Sequence, residues 1–283
     1  MKHQIVLGRY LFSGYHAGNR SIPPIYVYRS PTLSATAVTY LCAGSAPRER
    51  LSAREGNEDT ASTKHVGDHV GTIEKFVQIL SPAFLGDPLY SWFLSDIPSV
   101  KHQTLLPMLF RALMTQASLN NGILLEVGNS AACGLLMPPG SRLENPWTML
   151  RAGLAPALWT LGPGTFKRLV IDFSSGVEAV LKRGLTREEQ KGHWYGAFMG
   201  TATGFRRQGL GTSIFSYMQD QARSSGQPLC FEAATARNRD LYLKHGGKIV
   251  GEFTVGRGRV GANGMPKRQG EGIMIWPMVW RPE

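Results

Sequence analysis

Cysteine is scarce. Cys42, Cys133 and Cys230 are the only three in 283 residues. Odd in number and widely spaced, they exclude a disulfide framework and a paired zinc-ligand motif, and they suit a reducing compartment. Long apolar runs are missing as well. No stretch approaches the roughly 18 residues of a membrane helix, so a spanning protein is excluded and a cytoplasmic chain with no membrane partner is expected. Acidic residues are absent from the first 48 positions, where Lys2, Arg9, Arg20, Arg29 and Arg48 supply positive charge. That acid-poor, Ser- and Thr-bearing start has the composition of a transit peptide, which makes the mitochondrion the alternative address. Gly8 and Arg9 interrupt the apolar run from Val6 to Phe12 and disfavour a secretory signal.

What is present is ordinary for a globular chain: 42% apolar and 18% charged residues, enough to bury a core of normal size. The 31 basic and 20 acidic residues give a net charge of +11. Such a balance favours acidic partners: nucleic acid, anionic lipid or a phosphate-bearing cofactor. Before residue 64, short apolar pieces (Ile22 to Tyr28, Ala35 to Cys42) are broken by Pro, Ser, Gly and Arg. From Ala46 to Lys64 the chain is polar and charge-dense. Residues 1–65 are therefore expected to form a poorly ordered or targeting-like segment, and residues 66–283 the folded domain.

Within that domain, Ile73 to Leu80 has the spacing of a short helix. Leu105, Leu106, Leu109, Phe110, Leu113 and Ala117 form an amphipathic stripe ended by Asn120-Asn121-Gly122. Ile123 to Val127 and Ala132 to Met137 read as a hairpin. Thr148 to Leu161 and Phe166 to Leu185 are mostly helical in pattern, and Arg187 to Lys191 is a polar surface stretch. Then follow a strand (His193 to Thr201), a helix (Gly209 to Arg223), a strand (Pro228 to Ala233) and a short helix (Arg239 to His245). A strand (Lys248 to Val255), a glycine-rich basic loop and a final strand (Ile273 to Trp280) close the chain. The class is α/β or mixed α+β.

The informative stretch is Thr203-Gly204-Phe205-Arg206-Arg207-Gln208-Gly209-Leu210-Gly211-Thr212, between a strand and a helix. A glycine-bearing turn lets backbone approach a ligand closely. The free N–H groups and dipole of a helix start favour an anion, and Arg206 and Arg207 add positive charge. The physics suggests a phosphate or pyrophosphate cradle. It is not a P-loop, since no Gly-Lys-Ser/Thr follows. Nor is it the dinucleotide fingerprint, since Ile214 stands at the third glycine. Gly256-Arg257-Gly258-Arg259-Val260-Gly261 matches that fingerprint literally, but a loop follows it rather than a helix. His65 and His69 with Asp68 lack the Glu of the zinc-protease pattern, so no metal is expected, and no Gly-x-Ser-x-Gly elbow occurs.

Arg206, Gly209 and Gly211 do fit Arg-x-x-Gly-x-Gly, which resembles the acetyl-CoA-binding motif of the GNAT acetyltransferase superfamily. Leu241-Tyr242-Leu243-Lys244-His245-Gly246 resembles its Leu-Tyr-x-x-x-Gly signature. His193-Trp194-Tyr195, Phe231-Glu232-Ala233, Trp276 to Pro282 and the Phe84 to Leu94 stretch look like a fungal branch. The resemblance covers about residues 66 to 283. It implies the GNAT fold, a central, mostly antiparallel twisted sheet with flanking helices, and an acetyl-CoA-dependent N-acetyltransferase. The acceptor it implies is a small-molecule amine, and the role it implies is in specialised metabolism or detoxification. By the same resemblance, backbone amides of Met199, Gly200 and Thr201 would hold the pantetheine and polarise the thioester carbonyl. Arg206, Arg207, Gln208, Gly209, Leu210, Gly211 and Thr212 would hold the pyrophosphate, and Tyr242 would protonate the departing thiolate. A general base is needed to make the amine neutral. Glu232 is the first choice, with Glu252 and His193 as alternatives. Asn238 either reaches the cofactor or caps its helix.

Three departures stand against the pattern: Gly247 replaces an aromatic residue, Thr203 a proline and Thr235 an asparagine. At Gly247 looser packing behind the thiol end is expected. The segment Ser141 to Lys191 is long for the minimal fold and is a candidate wall of the acceptor site. Two rival readings are an acyl-CoA-binding protein without catalysis and a basic nucleic-acid-binding module. The second lacks aromatic-basic interleaving on one element, and no nucleic-acid partner is expected.

Overall fold

The structure is a computed structural model that describes residues 23–29, 69–143 and 145–283. The chain enters as strand β1 (Ile25–Tyr28), followed by helices α1 (His69–Phe84) and α2 (Pro88–Phe93). Asp87 starts α2 as an N-cap, accepting from the backbone N–H groups of Leu89 and Tyr90, and Pro88 at the first helical position has no N–H to leave orphaned. A 3-10 turn (Ser99–Lys101) leads into α3 (His102–Leu119), then strands β2 (Ile123–Val127) and β3 (Ala132–Met137).

A helical segment comes next: α4 (Pro146–Arg151), α5 (Leu154–Leu161), α6 (Pro163–Phe166), a π-helical turn (Lys167–Phe173), α7 (Ser174–Gly184) and α8 (Arg187–Lys191). α8 is short but carries a full capping box between Thr186 and Glu189, which satisfies two orphan N–H groups reciprocally. The remaining elements are β4 (Trp194–Thr201), α9 (Leu210–Ser225), β5 (Leu229–Ala233), α10 (Ala236–Lys244), β6 (Lys248–Ile249), β7 (Phe253–Val255) and β8 (Ile273–Trp280). The strand expected over Lys248 to Val255 is thus broken. Between Ile249 and Phe253 the chain has one residue more than β8 has between Met278 and Ile275. There Gly251 packs closely on α7, where a Cβ would stand 2.7 Å from Val180 Cγ1.

The sheet runs β1-β2-β3-β4-β5-β8-β6, with β7 also on β8. Every pair is antiparallel except β4–β5. This is a mixed α/β fold of the expected class. The expected domain boundary at residue 66 leaves out part of the sheet, because β1 lies upstream of it. Ile25 is fully buried, and Tyr28 donates a hydrogen bond of 2.9 Å to Glu126 of β2. Four residues between prolines and an arginine are too few to show a strand period.

Two apolar layers sandwich the sheet. One face packs against α1, α3 and α5, around Phe76, Leu80, Leu109, Phe110 and Leu158. The other packs against α9 through Leu210, Ile214, Phe215, Met218 and Ala222. Each fully buried side chain of this kind contributes about 1.5–3 kcal/mol. Gly134 lets α9 lie close to β3: a Cβ there would stand 2.6 Å from Ile214 Cγ2. Among the described residues no helix is long and apolar enough to cross a membrane.

Candidate active site

The sheet opens between its two parallel strands. β4 and β5 pair only at Trp194–Leu229 and Tyr195–Cys230. The next rungs would be Gly196–Phe231 and Ala197–Glu232, but they are not made. The cause is on the other side of β4. Leu135 faces Phe198 while Leu136 faces Gly196, so Ala197 is an extra residue in the ladder with β3. Such a bulge bends its strand and increases its local twist, here turning β4 away from β5.

A cavity of about 140 Å3 occupies this opening. It is lined from β4 by Tyr195, Ala197, Phe198 and Met199, from β5 by Phe231 and Glu232, and from α10 by Asn238 and Tyr242. On the α1 face it continues between α2, α3 and the π-helical turn. Leu143, Met149, Leu154, Leu169, Val170 and Phe173 belong to the same wall, so part of the segment Ser141 to Lys191 borders the cavity.

Glu232 and Tyr242 therefore share one space. Glu232 is half-buried on β5 and accepts a hydrogen bond of 2.8 Å from the Tyr195 hydroxyl. Tyr242 packs edge-on against Phe231, with ring centres 4.8 Å apart, and tilted against Phe215 at 5.1 Å. Burial first, and the negative charge of Glu232 second, push the Tyr242 phenol well above its ordinary value of 10.0, so it keeps its proton. The other two candidate bases stand elsewhere. His193 hydrogen-bonds the Glu189 carbonyl at 3.0 Å and Glu252 is exposed between β6 and β7. Neither lines the cavity.

The glycine turn lies at the end of β4. Arg206, Arg207, Gln208 and Gly209 are exposed, and Leu210 anchors α9 in the core. Gly209 adopts φ +82° as the residue before α9, and Arg207 adopts φ +63°. Both lie in the left-handed region, where glycine is favoured. The first three N–H groups of α9 belong to Leu210, Gly211 and Thr212, and a helix leaves such groups without intrahelical partners. A Cβ on Gly209 would meet nothing within 4 Å, and one on Gly211 only Thr201 Oγ1 at 3.8 Å. The space above this turn is open to a ligand that fits against bare backbone. The Arg206 Nε donates to the Thr201 carbonyl at 3.4 Å, tying the turn to β4. Gly200 faces the other way: its Cα side abuts Leu80 of α1.

The structure decides one open reading, overturns a second and adds a residue. Asn238 does not cap α10; Thr235 does, accepting from the Asn238 backbone N–H at 3.2 Å. The Asn238 side chain is left at the cavity. Packing around Gly247 is close rather than loose. A Cβ there would meet the Tyr242 carbonyl at 2.9 Å and Phe231 Cζ at 3.0 Å, so Phe231 fills the space expected of an aromatic residue at position 247. Tyr195 was not singled out as a site residue. Its signal was its place beside Trp194 at the start of the strand, but only the register with β5 brings it to Glu232.

Among the described residues no group of His, Cys, Asp and Glu is assembled to hold a metal ion. His65 and Asp68 lie outside the described residues. Cys133 and Cys230 are buried thiols, and burial pushes both well above their ordinary value of 9.0.

No family model matches the chain. An uncharacterised N-acetyltransferase of Schizosaccharomyces pombe is 23% identical over 173 residues, which span 61% of this chain and 69% of that protein. Among solved structures, the arylalkylamine N-acetyltransferase 2 of Aedes aegypti is 16% identical with a TM-score of 0.48, covering 80% of this chain and 98% of its own. A histone acetyltransferase-related protein of Corynebacterium glutamicum is 18% identical with a TM-score of 0.46, covering 76% of this chain and 93% of its own.

Proposed function

We propose that the chain is a GNAT-type N-acetyltransferase that transfers an acetyl group from acetyl-CoA to the amine of a small molecule. One observation carries the reading. The open glycine turn at the start of α9 adjoins the end of β4, and the gap beside β4 holds Glu232 and Tyr242 together.

Acetyl-CoA would supply the activated acetyl thioester. The chain's own parts have separable tasks. Backbone N–H groups of Arg207 to Thr212, with the Arg206 and Arg207 charges, hold the pyrophosphate at the positive end of α9. The edge of β4 at Met199, Gly200 and Thr201, which has no β5 rung beside it, offers backbone donors to the pantetheine and to the thioester carbonyl. Asn238 closes the same channel from α10. Glu232 takes the proton from the incoming ammonium, directly or through water, because only a neutral amine attacks. Tyr195 holds the Glu232 carboxylate in place. Tyr242, which stays protonated, donates to the departing sulfur. Bringing both substrates into one cavity removes much of the entropic barrier.

The test combines binding and turnover. Acetyl-CoA at about 100 times its dissociation constant raises stability by roughly 2.7 kcal/mol, read as a thermal shift that Gly209→Glu abolishes. CoA release with an amine acceptor then falls at least about a hundredfold in Glu232→Gln. No thermal shift in folded wild type sinks the acetyl-CoA reading. A shift without turnover on any amine leaves an acyl-CoA-binding protein.

A further inference from the structure

The cavity also carries information about the acceptor. Resting on the acetyltransferase reading, we infer that the acceptor is a compact amine on an apolar, aromatic body, with no acidic group and no second ammonium.

The first argument is the wall. On the α1 side of the sheet the lining includes Phe84, Tyr90, Phe93, Leu113, Phe173 and Phe198. These rings pack edge-on and tilted against one another, as at Phe84–Phe198 and Phe93–Phe173. The acetyl end of the cofactor shares this cavity of about 140 Å3, so the acceptor body is no larger than roughly one aromatic ring, since an apolar cavity of about 150 Å3 is filled by benzene.

The second argument is charge. The chain carries a net +11, yet among the described residues no Lys, Arg or His lines the cavity. Arg168 lies on the π-helical turn next to Leu169 and Val170, which do line it. Its guanidinium is turned away, donating to the Phe93 carbonyl at 3.1 and 2.9 Å and pairing with Asp96 at 2.9 Å. A substrate carboxylate would find no cation in this space and would meet two carboxylates instead.

The third argument is the number of acids. Among the described residues two line the cavity, Asp87 and Glu232. Asp87 is engaged as the α2 cap by two backbone N–H groups. Glu232, which accepts from Tyr195, faces the same space and places one carboxylate beside an incoming ammonium, and the aromatic faces can attract the same cation. A second ammonium at the far end of the acceptor would be buried among Leu169, Val170 and Phe173 without a counter-charge. The π-helical geometry of that turn fits the role, since π-turns occur frequently at functional sites.

The experiment compares three probes by CoA release at fixed acetyl-CoA: phenethylamine, putrescine and phenylalanine. Calorimetric titration of phenethylamine into the CoA-bound protein is run beside it. The expected result is a kcat/KM for phenethylamine about a hundredfold above the other two, with measurable binding. Val170→Asp, which places a carboxylate at the far wall, narrows the gap to putrescine by about tenfold or more. Putrescine or phenylalanine preferred by wild type overturns the inference and leaves the acetyltransferase standing. Phenethylamine bound but no amine acetylated sinks the transfer reading, and the acceptor inference that rests on it falls with it. Phenethylamine neither bound nor acetylated overturns the inference. If Val170→Asp does not fold, the wild-type panel and titration decide alone.

Discussion

The Tyr195 hydroxyl donates to the Glu232 carboxylate across 2.8 Å, from the last paired rung of β4 to the first unpaired reach of β5. The bond spans the place where the sheet parts, so it sets the direction in which Glu232 faces the cavity. Tyr195→Phe removes a donor that favours the ionised carboxylate. The expected outcome is an acid limb of the kcat/KM profile displaced to higher pH, with Tm little changed. A profile that only scales down in height, or does not move, would assign Tyr195 to packing alone.

Gly211 separates binding from folding. A Cβ at this position meets only Thr201 Oγ1, at 3.8 Å, and alanine is the better helix former by up to about 1 kcal/mol. Gly211→Ala is therefore expected to fold with equal or higher Tm, while the thermal shift produced by acetyl-CoA shrinks. An undiminished shift would mean that no ligand approaches the first turn of α9 closely.

Gly134 is the opposite case. A Cβ would stand 2.6 Å from Ile214 Cγ2 and 3.1 Å from Met218 Cε. Gly134→Ala has to push α9 off β3, and overpacking of this kind costs about 1–3 kcal/mol. Chemical denaturation measures it; a cost below about 0.5 kcal/mol would contradict the close packing of α9.

The strand β1 makes residues before 66 part of the folded unit. A chain begun at residue 66 loses Ile25 from the core and the Tyr28 partner of buried Glu126. It also bares the edge of β2, a template for unwanted pairing. Expected are a loss of about 2 kcal/mol or more and a tendency to associate, seen by denaturation and light scattering. Unchanged stability would show that β1 contributes nothing.

Tyr90 ties stability to alkaline pH. Burial, and the charge of Asp87 behind it, push its phenol well above the ordinary value of 10.0. Its folded value is raised, so the contribution is intact below the unfolded value and is lost as pH climbs from about 10 towards the folded one. In that window the unfolded chain binds fewer protons, and stability falls by about 1.4 kcal/mol per pH unit for this group. Tyr90→Phe should flatten the decline between pH 10 and 11 relative to wild type; parallel curves would refute the assignment.

Much of this architecture is legible in the residues. The hairpin Ile123–Val127 to Ala132–Met137 stands where β-formers flank Gly128-Asn129-Ser130, all three of which take positive φ. The α9 turn is announced by its glycines, and Glu232 and Tyr242, expected on separate grounds, line one cavity. What is not legible depends on long-range register. Ala197 reads as one more small residue in a strand; only its lack of a partner in β3 makes it a bulge. Tyr195 and Glu232 are 37 residues apart, and no local pattern couples them. The break between β6 and β7 falls where Gly251 packs against Val180 on a distant helix.

β8 has a consequence for how the molecule comes into being. It lies between β5 and β6 and carries β7 as well, although it follows all three in sequence. Until Ile273–Trp280 has left the ribosome, β6 and β7 have no strand to lean on, and β5 has only its two rungs to β4. The half of the sheet bearing Glu232 is therefore assembled after synthesis of that strand. During that interval β5 presents an unpaired edge, a template for unwanted pairing.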